Sequence, residues 1–340
     1  IGAAGDPLRI ALAPGTSLTA RAGGSLFIDE RAGELRVAEV FARNTASLAA
    51  ERSILDTRAA AVVAVNAAAV QLTSRLGDIG SAARPFALRA RDGGSVGGSA
   101  AGSIDITSPA DHLTIGSLVA GGDVRLVSAG SLTSNGSAPN VVGREIGLQA
   151  LGGTLGSPGA FFSIDSNGGV TALADTGLWL EEWNGDLFAR RIATRTGPVN
   201  VRVRNGNAIF DTLVSDDVLK LTLAGGSLSV AFIDALGVEL SLLEEGARLS
   251  VGDLHVRDAL RLKADHIYLP QVFHKGALDT LRIAAAGNDG GLSDEVTMHI
   301  ESPSPVLFDR LRAKTANIFS SSGVLQLEDT TITQDANIAH

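Results

Sequence analysis

Apolar and polar residues alternate along most of the chain, and the alternation comes in short runs. In LSVGDLHVRDALRL (249–262), Leu249, Val251 and Leu254 are apolar, a polar corner HVRDA follows, and Leu260 and Leu262 resume the alternation. A period of two places one set of side chains on one face of a β-strand. The stretch therefore predicts short strands separated by corners.

This pattern of short apolar strands and polar corners is an internal repeat. Copies begin at Ala208, Leu228, Leu249 and Ile267, which lie 20, 21 and 18 residues apart. A repeat of this length has room for two or three strands and none for a helix, and the Asn or Cys of a leucine-rich repeat does not recur. One coil alone buries too few side chains to stand, so neighbouring coils must stack. The sequence predicts an all-β fold, a right-handed parallel β-helix of roughly 20-residue coils.

The alanine-rich stretch near residue 65 permits two interpretations. Its apolar positions fit the repeat, but its composition also favours a helix. Both stay open from the residues alone. The inward positions predicted by the repeat are Ala60, Val62, Val65, Val70 and Leu72.

The repeat covers the whole chain and favours one elongated segment, residues 1–340, of roughly 14–16 coils. Irregular coils are expected around 91–103, which is rich in Gly and Ser, around 157–198, and around 286–305. The chain starts at Ile1 without an initiator Met or a signal segment. We expect a fragment of a much larger polypeptide or a mature segment.

Charge and composition exclude several classes of function. The net charge of −9 leaves no basic stripe for nucleic acid. No apolar run approaches the length needed to span a bilayer. Cysteine is absent, which excludes disulfides and thiolate metal sites. No cofactor is expected.

The rungs HLTIGSLVAGGDVRLVSAGSLTS and FDRLRAKTANIF resemble the repeat region of filamentous haemagglutinin-type adhesins. These are large exoproteins of Gram-negative two-partner secretion. The resemblance implies a right-handed β-helical fibre at the cell surface that serves attachment and cell–cell or matrix contact. It lies in a rung pattern, not in a catalytic motif, and the secretion-recognition domain typical of the family's amino terminus is not identifiable.

The two tryptophans form the first candidate site. TGLWLEEWNGD places aromatic rings beside carboxylates and an amide, a combination that stacks on sugar rings and bonds their hydroxyls. The alternative is that one Trp caps the core and the other packs on a loop. The candidate binding residues are Trp179, Trp183, Glu181, Glu182 and Asn184.

Metal sites are the second possibility. Three histidines lie within 20 residues, but their spacing matches no known metal signature, and charged corners are usually only solvated. The acidic loop NDGGLSDE suits calcium by its oxygen ligands, but it lacks the spacing of an EF-hand and the nonapeptide of calcium-binding β-rolls. We expect no metal site. The residues concerned are His255, His266 and His274 with Asp253, Asp258 and Asp265, and Asn288, Asp289, Ser293, Asp294 and Glu295 in the loop.

An enzyme is the main alternative to a binding role, because parallel β-helices also carry polysaccharide lyases and hydrolases. Such enzymes need carboxylates that converge from adjacent coils. Asp211, Asp234 and Asp253 come from successive coils but fall at three different offsets of the repeat. We therefore expect no catalytic activity.

The sequence thus predicts a structural and binding segment of a secreted or surface adhesin of a Gram-negative bacterium, serving attachment, aggregation or biofilm contact. Expected partners are a glycan or protein of a host or neighbouring cell, an extracellular polysaccharide, the outer-membrane transporter during export, and other copies by lateral association. The alternatives are a polysaccharide-degrading enzyme and a self-assembling matrix or surface-layer fibre.

Overall fold

The computed structural model describes residues 1–59, 62–91, 93–276 and 280–339. Every regular element in these ranges is a β-strand, every ladder between strands is parallel, and the strands form a β-solenoid of about 16 turns. The predicted all-β, parallel solenoid is confirmed. No helix long and apolar enough to cross a membrane occurs in the described ranges. Two compact units, Ile1–Asp175 and Thr176–His340, divide the chain, and a single continuous segment stays a prediction.

The strands of the first unit are β1 (Leu8–Ile10), β2 (Leu18–Ala22), β3 (Leu26–Glu30), β4 (Leu35–Ala42), β5 (Thr45–Ala50), β6 (Ile54–Asp56), β7 (Val65–Ala67), β8 (Ala69–Ser74), β9 (Phe86–Ala90), β10 (Val96–Ala100), β11 (Ile104–Ser108), β12 (Leu113–Ala120), β13 (Val124–Ser128), β14 (Leu132–Ser134), β15 (Val141–Gly143), β16 (Ile146–Ala150), β17 (Thr154–Leu155), β18 (Phe162–Ser166) and β19 (Gly169–Ala174).

The strands of the second unit are β20 (Gly177–Glu182), β21 (Leu187–Thr194), β22 (Val199–Val203), β23 (Ala208–Val214), β24 (Val218–Leu223), β25 (Leu228–Ala235), β26 (Gly237–Leu242), β27 (Arg248–Val256), β28 (Ala259–Lys263), β29 (His266–His274), β30 (Leu281–Ala286), β31 (Ser293–Glu301), β32 (Val306–Ser320), β33 (Leu325–Ile332) and β34 (Ala336–Ala339).

Each long strand carries two inward-facing runs with a change of phase between them. In β27, Leu249 and Val251 are buried, the next two residues face outward, and Leu254 and Val256 are buried again. The same order occurs in β12 of the first unit. Gly252 and Asp253, the two outward residues, therefore lie inside one strand. The chain turns after this strand, at residues 257–258.

The core is built from columns of equivalent residues in successive turns. Leu213 of β23 pairs with Ile233 of β25, which pairs with Leu254 of β27. All three side chains are fully buried, which confirms the alignment of these rungs. Each such burial contributes roughly 1.5–3 kcal/mol, and only the neighbouring turns supply the apolar surface that makes it possible.

The alanine-rich stretch is β-structure in its described part, so the helix interpretation is wrong for residues 62–74. Val65, Val70 and Leu72 point inward as predicted, whereas Val62 is 38% exposed. The first two places of this turn belong to Ile54 and Asp56 of β6, which pair with Leu35 and Val37, so the prediction of Val62 as an inward residue is wrong. Ala60 lies outside the described residues.

A tight turn occurs three times in the described part of the first unit, and the rung pattern did not predict it. Each copy begins with a glycine at positive φ and closes with an isolated antiparallel bridge before the next strand. At Gly80 a Cβ would lie 2.3 Å from the carbonyl oxygen of Asp105, so no other residue fits there. The glycines and bridges are Gly2 with Ala3–Asp6, Gly80 with Ser81–Arg84, and Gly156 with Ser157–Ala160.

Two parallel ladders run through the second unit, one from β20 to β33 and one from β21 to β34. Strand β32 is long enough to belong to both, pairing with β30 through its first part and with β31 through its second. The length of a turn varies, because Leu249 pairs with Ile267 but Ile267 pairs with Val296. This variation decides which outward side chains become neighbours.

Candidate binding surface

Trp179 is not an exposed platform for a ligand. It lies in β20 with 9% of its surface exposed. Its ring packs over Gly177, where a Cβ would lie 2.7 Å from the ring. The glycine leaves the space that the indole fills, so Trp179 contributes to packing.

Trp183 is half-buried, and one face of its ring is already occupied. The guanidinium carbon of Arg204 lies 3.5 Å from the ring centroid, within the range of a cation–π contact. Arg204 also forms an ion pair of 3.1 Å with Glu181. The structure therefore brings Trp183, Glu181 and Arg204 together into a closed cluster.

The other two residues of the predicted patch diverge. Glu182 is fully buried in the inward column that continues with Val203, whereas Asn184 is exposed at the following corner. The alternation of the strand separates Glu181 from Glu182 onto opposite faces. Sugar binding by this patch stays a prediction, and its one accessible aromatic is Trp183 with Arg204 stacked on it.

The histidines point in different directions. His255 lies on the outer face between Phe232 and Phe273, with both ring centroids 5.0 Å from its own. His274 occupies the inward column of Val256 and makes contacts of 3.0 Å with Ser302 Oγ and 3.2 Å with the carbonyl of Arg257. Opposite faces of one sheet cannot share a metal. In the described part of the chain, no three His, Cys, Asp or Glu side chains are grouped to hold an ion.

Burial, with a smaller contribution from Lys275, lowers the pKa of His255 below its ordinary value. The ring is therefore neutral at pH 7 and packs edge-on against both phenyl rings. This arrangement explains the aromatic column without any ligand.

The acids of the 288–295 loop are satisfied separately. Asp289 Oδ1 accepts a hydrogen bond of 2.6 Å from the Gly291 amide. Asp294 binds Lys314, and that hydrogen bond lowers the pKa of Asp294. Glu295 accepts a hydrogen bond of 3.4 Å from the Thr297 hydroxyl. These contacts do not form a shared calcium cage.

The three aspartates considered for catalysis lie in different columns. Asp253 is opposite Phe232, and Asp234 is opposite His255. Asp211 directly precedes Thr212, which also pairs with Phe232. The three offsets predicted from the repeat are confirmed, and Asp234 is held by Arg257 and Lys275 at 3.6 and 3.5 Å. The register therefore brings no catalytic set together from these residues.

The most open aromatic surface of the second unit lies on β29, β31, β32 and β34. Tyr268 and Phe319 are 53% and 47% exposed. Tyr268 begins a polar ladder, pairing with Thr297, which pairs with Asn317, which pairs with Asn337. Two positions along the strands, His299 pairs with Phe319, and their rings meet edge-on at 4.8 Å. We call the outward side chains of this surface the Tyr268 face; they are Tyr268, Pro270, Thr297, His299, Asn317, Phe319 and Asn337.

Two grooves meet at Tyr268. One, of about 400 Å³, contains Arg248, His266 and Glu295. The other, of about 350 Å³, is lined only by uncharged residues and one histidine. Tyr268 and Thr297 belong to both. The second groove is Tyr268, Pro270, Thr297, Met298, His299, Asn317, Ile318, Phe319, Asn337 and Ala339.

No family model, no curated protein and no solved structure matches this chain. The β-solenoid is thus established by its own ladders, and the function must be argued from its own surface.

The Tyr268 face offers aromatic rings, the amide donors and acceptors of two asparagines, and the hydroxyls of Tyr268 and Thr297 on the outside of a sheet. Such a set can bind an uncharged, hydroxyl-rich chain or a polar protein surface. Sequence reasoning missed it because its members are 20–29 residues apart, as the pairs Asn317–Asn337 and Tyr268–Thr297 illustrate. The available signal was the outward position of Tyr268 between inward Ile267 and Leu269.

Proposed function

We propose that this chain is a structural and binding segment of a secreted or cell-surface adhesin of the filamentous haemagglutinin type. The single observation that carries the proposal is the Tyr268 face, an uncharged aromatic and amide surface on the outside of a solenoid. The solenoid is compatible with a β-helical repeat protein. The mechanism is passive, because stacked ladders hold the contact residues in place without a moving part.

The proposed ligand is a glycan of a host or neighbouring cell, or an extracellular polysaccharide, with a surface protein as the alternative partner. Burial of one aromatic face against a sugar contributes on the order of 1–2 kcal/mol. Such a contact is weak alone and becomes strong when many copies bind at once. Attachment, aggregation and biofilm contact are the roles that follow.

From the resemblance of the rungs we propose further that the chain lies outside a Gram-negative cell and is exported through an outer-membrane transporter. The absence of cysteine supports export in an unfolded state, because no disulfide has to form or break. Lateral association of copies along the solenoid is part of the same proposal. Analytical ultracentrifugation over a range of concentrations measures it.

The test is binding of the purified chain to a glycan array and to whole cells. We expect Tyr268→Ala and Phe319→Ala each to weaken attachment several-fold while the melting temperature stays within a few degrees of wild type, since both side chains are exposed. Phe188→Ala is the matched control, because Phe188 is a 40% exposed phenyl group on β21 of the same unit. It should leave attachment unchanged.

Three results would contradict the proposal. Equal loss in Phe188→Ala would mean that the effect is general apolar adhesion. Loss of attachment in Trp183→Ala but not in Tyr268→Ala would mean that the ligand binds at the tryptophan patch. Release of reducing sugars from a polysaccharide by the wild type, abolished in an Asp variant, would establish an enzyme instead.

A further inference from the structure

A third groove, separate from the two that meet at Tyr268, lies on the outside of the first unit. It has a volume of about 400 Å³ and runs across the starts of β11, β13 and β16. Four carboxylates line it, and Arg125 is the one guanidinium among the lining residues. The carboxylates belong to Asp78, Asp105, Asp123 and Glu145.

The register of the inward residues stacks these acids. Ile79, Ile104, Val124 and Ile146 form one column. The residues before them are consequently stacked as Asp78, Ser103, Asp123 and Glu145. The residues after them are stacked as Gly80, Asp105, Arg125 and Gly147. Neighbouring strands are about 4.8 Å apart, so the column from Asp78 to Glu145 extends roughly 14 Å along the groove.

Asp105 is the unusual member. It is 5% exposed, and its Oδ1 has no hydrogen-bond partner among the described residues. Its Oδ2 lies 3.7 Å from Arg125 Nη1, an ion pair too long for a hydrogen bond. Burial raises the pKa of Asp105 to about 6 in spite of Arg125. An acceptor that is buried and left unpaired costs free energy, and a cation bound in the groove beside Asp105 offsets part of that cost through its charge.

The neighbouring acids differ in the hydrogen bonds and ion pairs that they form. Asp123 is bound by Arg144 at 2.9 Å, and this hydrogen bond lowers the pKa of Asp123. Asp78 accepts a hydrogen bond of 2.6 Å from the Ser103 amide. Among the residues that the structure describes, no Lys or Arg side chain forms an ion pair with Asp78. The groove therefore retains negative charge beside Asp78 and Asp105.

Two glycines shape the groove. Gly80, whose Cβ would collide with the Asp105 carbonyl, bounds it on one side of Asp105. At Gly147 a Cβ would meet nothing closer than 3.9 Å, so this position has room for a side chain. The open space beside Arg125 and Asp105 is thus available to a ligand, and a larger residue at 147 would fill it.

We propose that this groove binds an organic cation that carries primary ammonium groups on a flexible aliphatic chain. The acids are spread over successive turns, and no three of the described His, Cys, Asp or Glu side chains are grouped around one point to hold a metal ion. Ammonium groups spaced along a chain match acceptors spaced along a ladder. Each ammonium group also brings three N–H donors to carboxylates that accept only. The source is a free polyamine or the lysine side chains of a protein partner.

Calorimetry with spermidine at pH 7.5 and low salt tests the proposal, with a short lysine-rich peptide as the second arm. Asp105→Asn removes the buried charge, and Gly147→Val fills the groove without changing the charge. Asp211→Asn, an exposed acid of the second unit, is the control. We expect binding by wild type and control, and at least about tenfold weaker binding by both groove variants, since a charge-assisted contact is lost.

The thermal shift keeps folding separate from binding. Asp105→Asn removes a buried carboxylate whose Oδ1 has no hydrogen-bond partner, so it should melt no lower than wild type at pH 7.5, and only wild type and control should gain stability from the ligand. Tighter binding of spermidine identifies a free polyamine, and tighter binding of the peptide identifies a protein partner. Absence of binding in both arms, unchanged binding by either groove variant, or displacement of the ligand by equimolar calcium would overturn the proposal.

Discussion

The guanidinium of Arg204 lies over the ring of Trp183 at 3.5 Å from its centroid, with Glu181 holding the same arginine in an ion pair. The aromatic face that sequence reasoning assigned to a ligand is therefore covered by a side chain from the next turn. Arg204→Ala should uncover it. Because Trp179 is buried, the Trp179→Phe background leaves Trp183 as the sole indole, and iodide quenching of its fluorescence should rise when Arg204 is removed.

The control for this experiment is Arg202→Ala, which removes an arginine of β22 two residues before Arg204. It should change quenching less than Arg204→Ala does. Equal quenching before and after removal of Arg204 would mean that the stacking does not persist in solution.

The column Leu213–Ile233–Leu254 predicts the cost of a core charge. Leu254→Asp buries a carboxylate without a partner, which costs several kcal/mol, and Leu254→Ala should cost roughly 2–5 kcal/mol through the cavity it leaves. Ser250→Asp, an outward position of the same strand, is the control and should change little. Denaturant unfolding measures all three, and a wild-type melting temperature for Leu254→Asp would contradict the register.

Asp105 predicts a pH dependence of stability. Its pKa is raised from 3.8 to about 6 in the folded protein, so the folded state binds the proton more tightly than the unfolded chain. Above about pH 6 the ionised carboxylate lowers stability by on the order of 2–3 kcal/mol. That cost disappears as the pH falls through 6 towards 3.8.

Asp105→Asn should therefore melt higher than wild type at pH 8, with the difference shrinking at pH 5. Other groups that face this carboxylate are Asp78, Asp123, Arg125 and Glu145, and they are the same in both proteins, so the difference between variant and wild type isolates Asp105. A difference that is independent of pH would show that burial does not raise the pKa of Asp105 in the folded protein.

The acidic loop predicts indifference to calcium. Asp289 accepts a hydrogen bond from the Gly291 amide, and Asp294 accepts one from Lys314. Neither carboxylate needs a bound cation to have a partner. Thermal melts by circular dichroism with calcium and with chelator should superimpose. A fall of more than about 10 °C on chelation would mean that an ion stabilises the folded state.

The inward half of the fold was predictable from the chain alone. Period-two alternation and a spacing near 20 residues specify which side chains enter the core, because apolar burial is the largest favourable term and each coil needs its neighbours. Leu213, Ile233 and Leu254 were aligned correctly for this reason. Val62 was not, because the turn takes its first two inward residues from Ile54 and Asp56 of β6 and reaches Val65 only after a longer connection.

Which outward-facing side chains become neighbours was decided by the tertiary structure. Outward positions accept almost any polar residue, so their sequence carries little information about their neighbours. Turn lengths that vary between the Leu249–Ile267 and Ile267–Val296 pairs then set which of them meet. Tyr268 reaches Asn317, Asp105 reaches Arg125 and Trp183 is covered by Arg204 only after the ladders are in register, because backbone hydrogen bonding between turns, not side-chain pattern, fixes these neighbours.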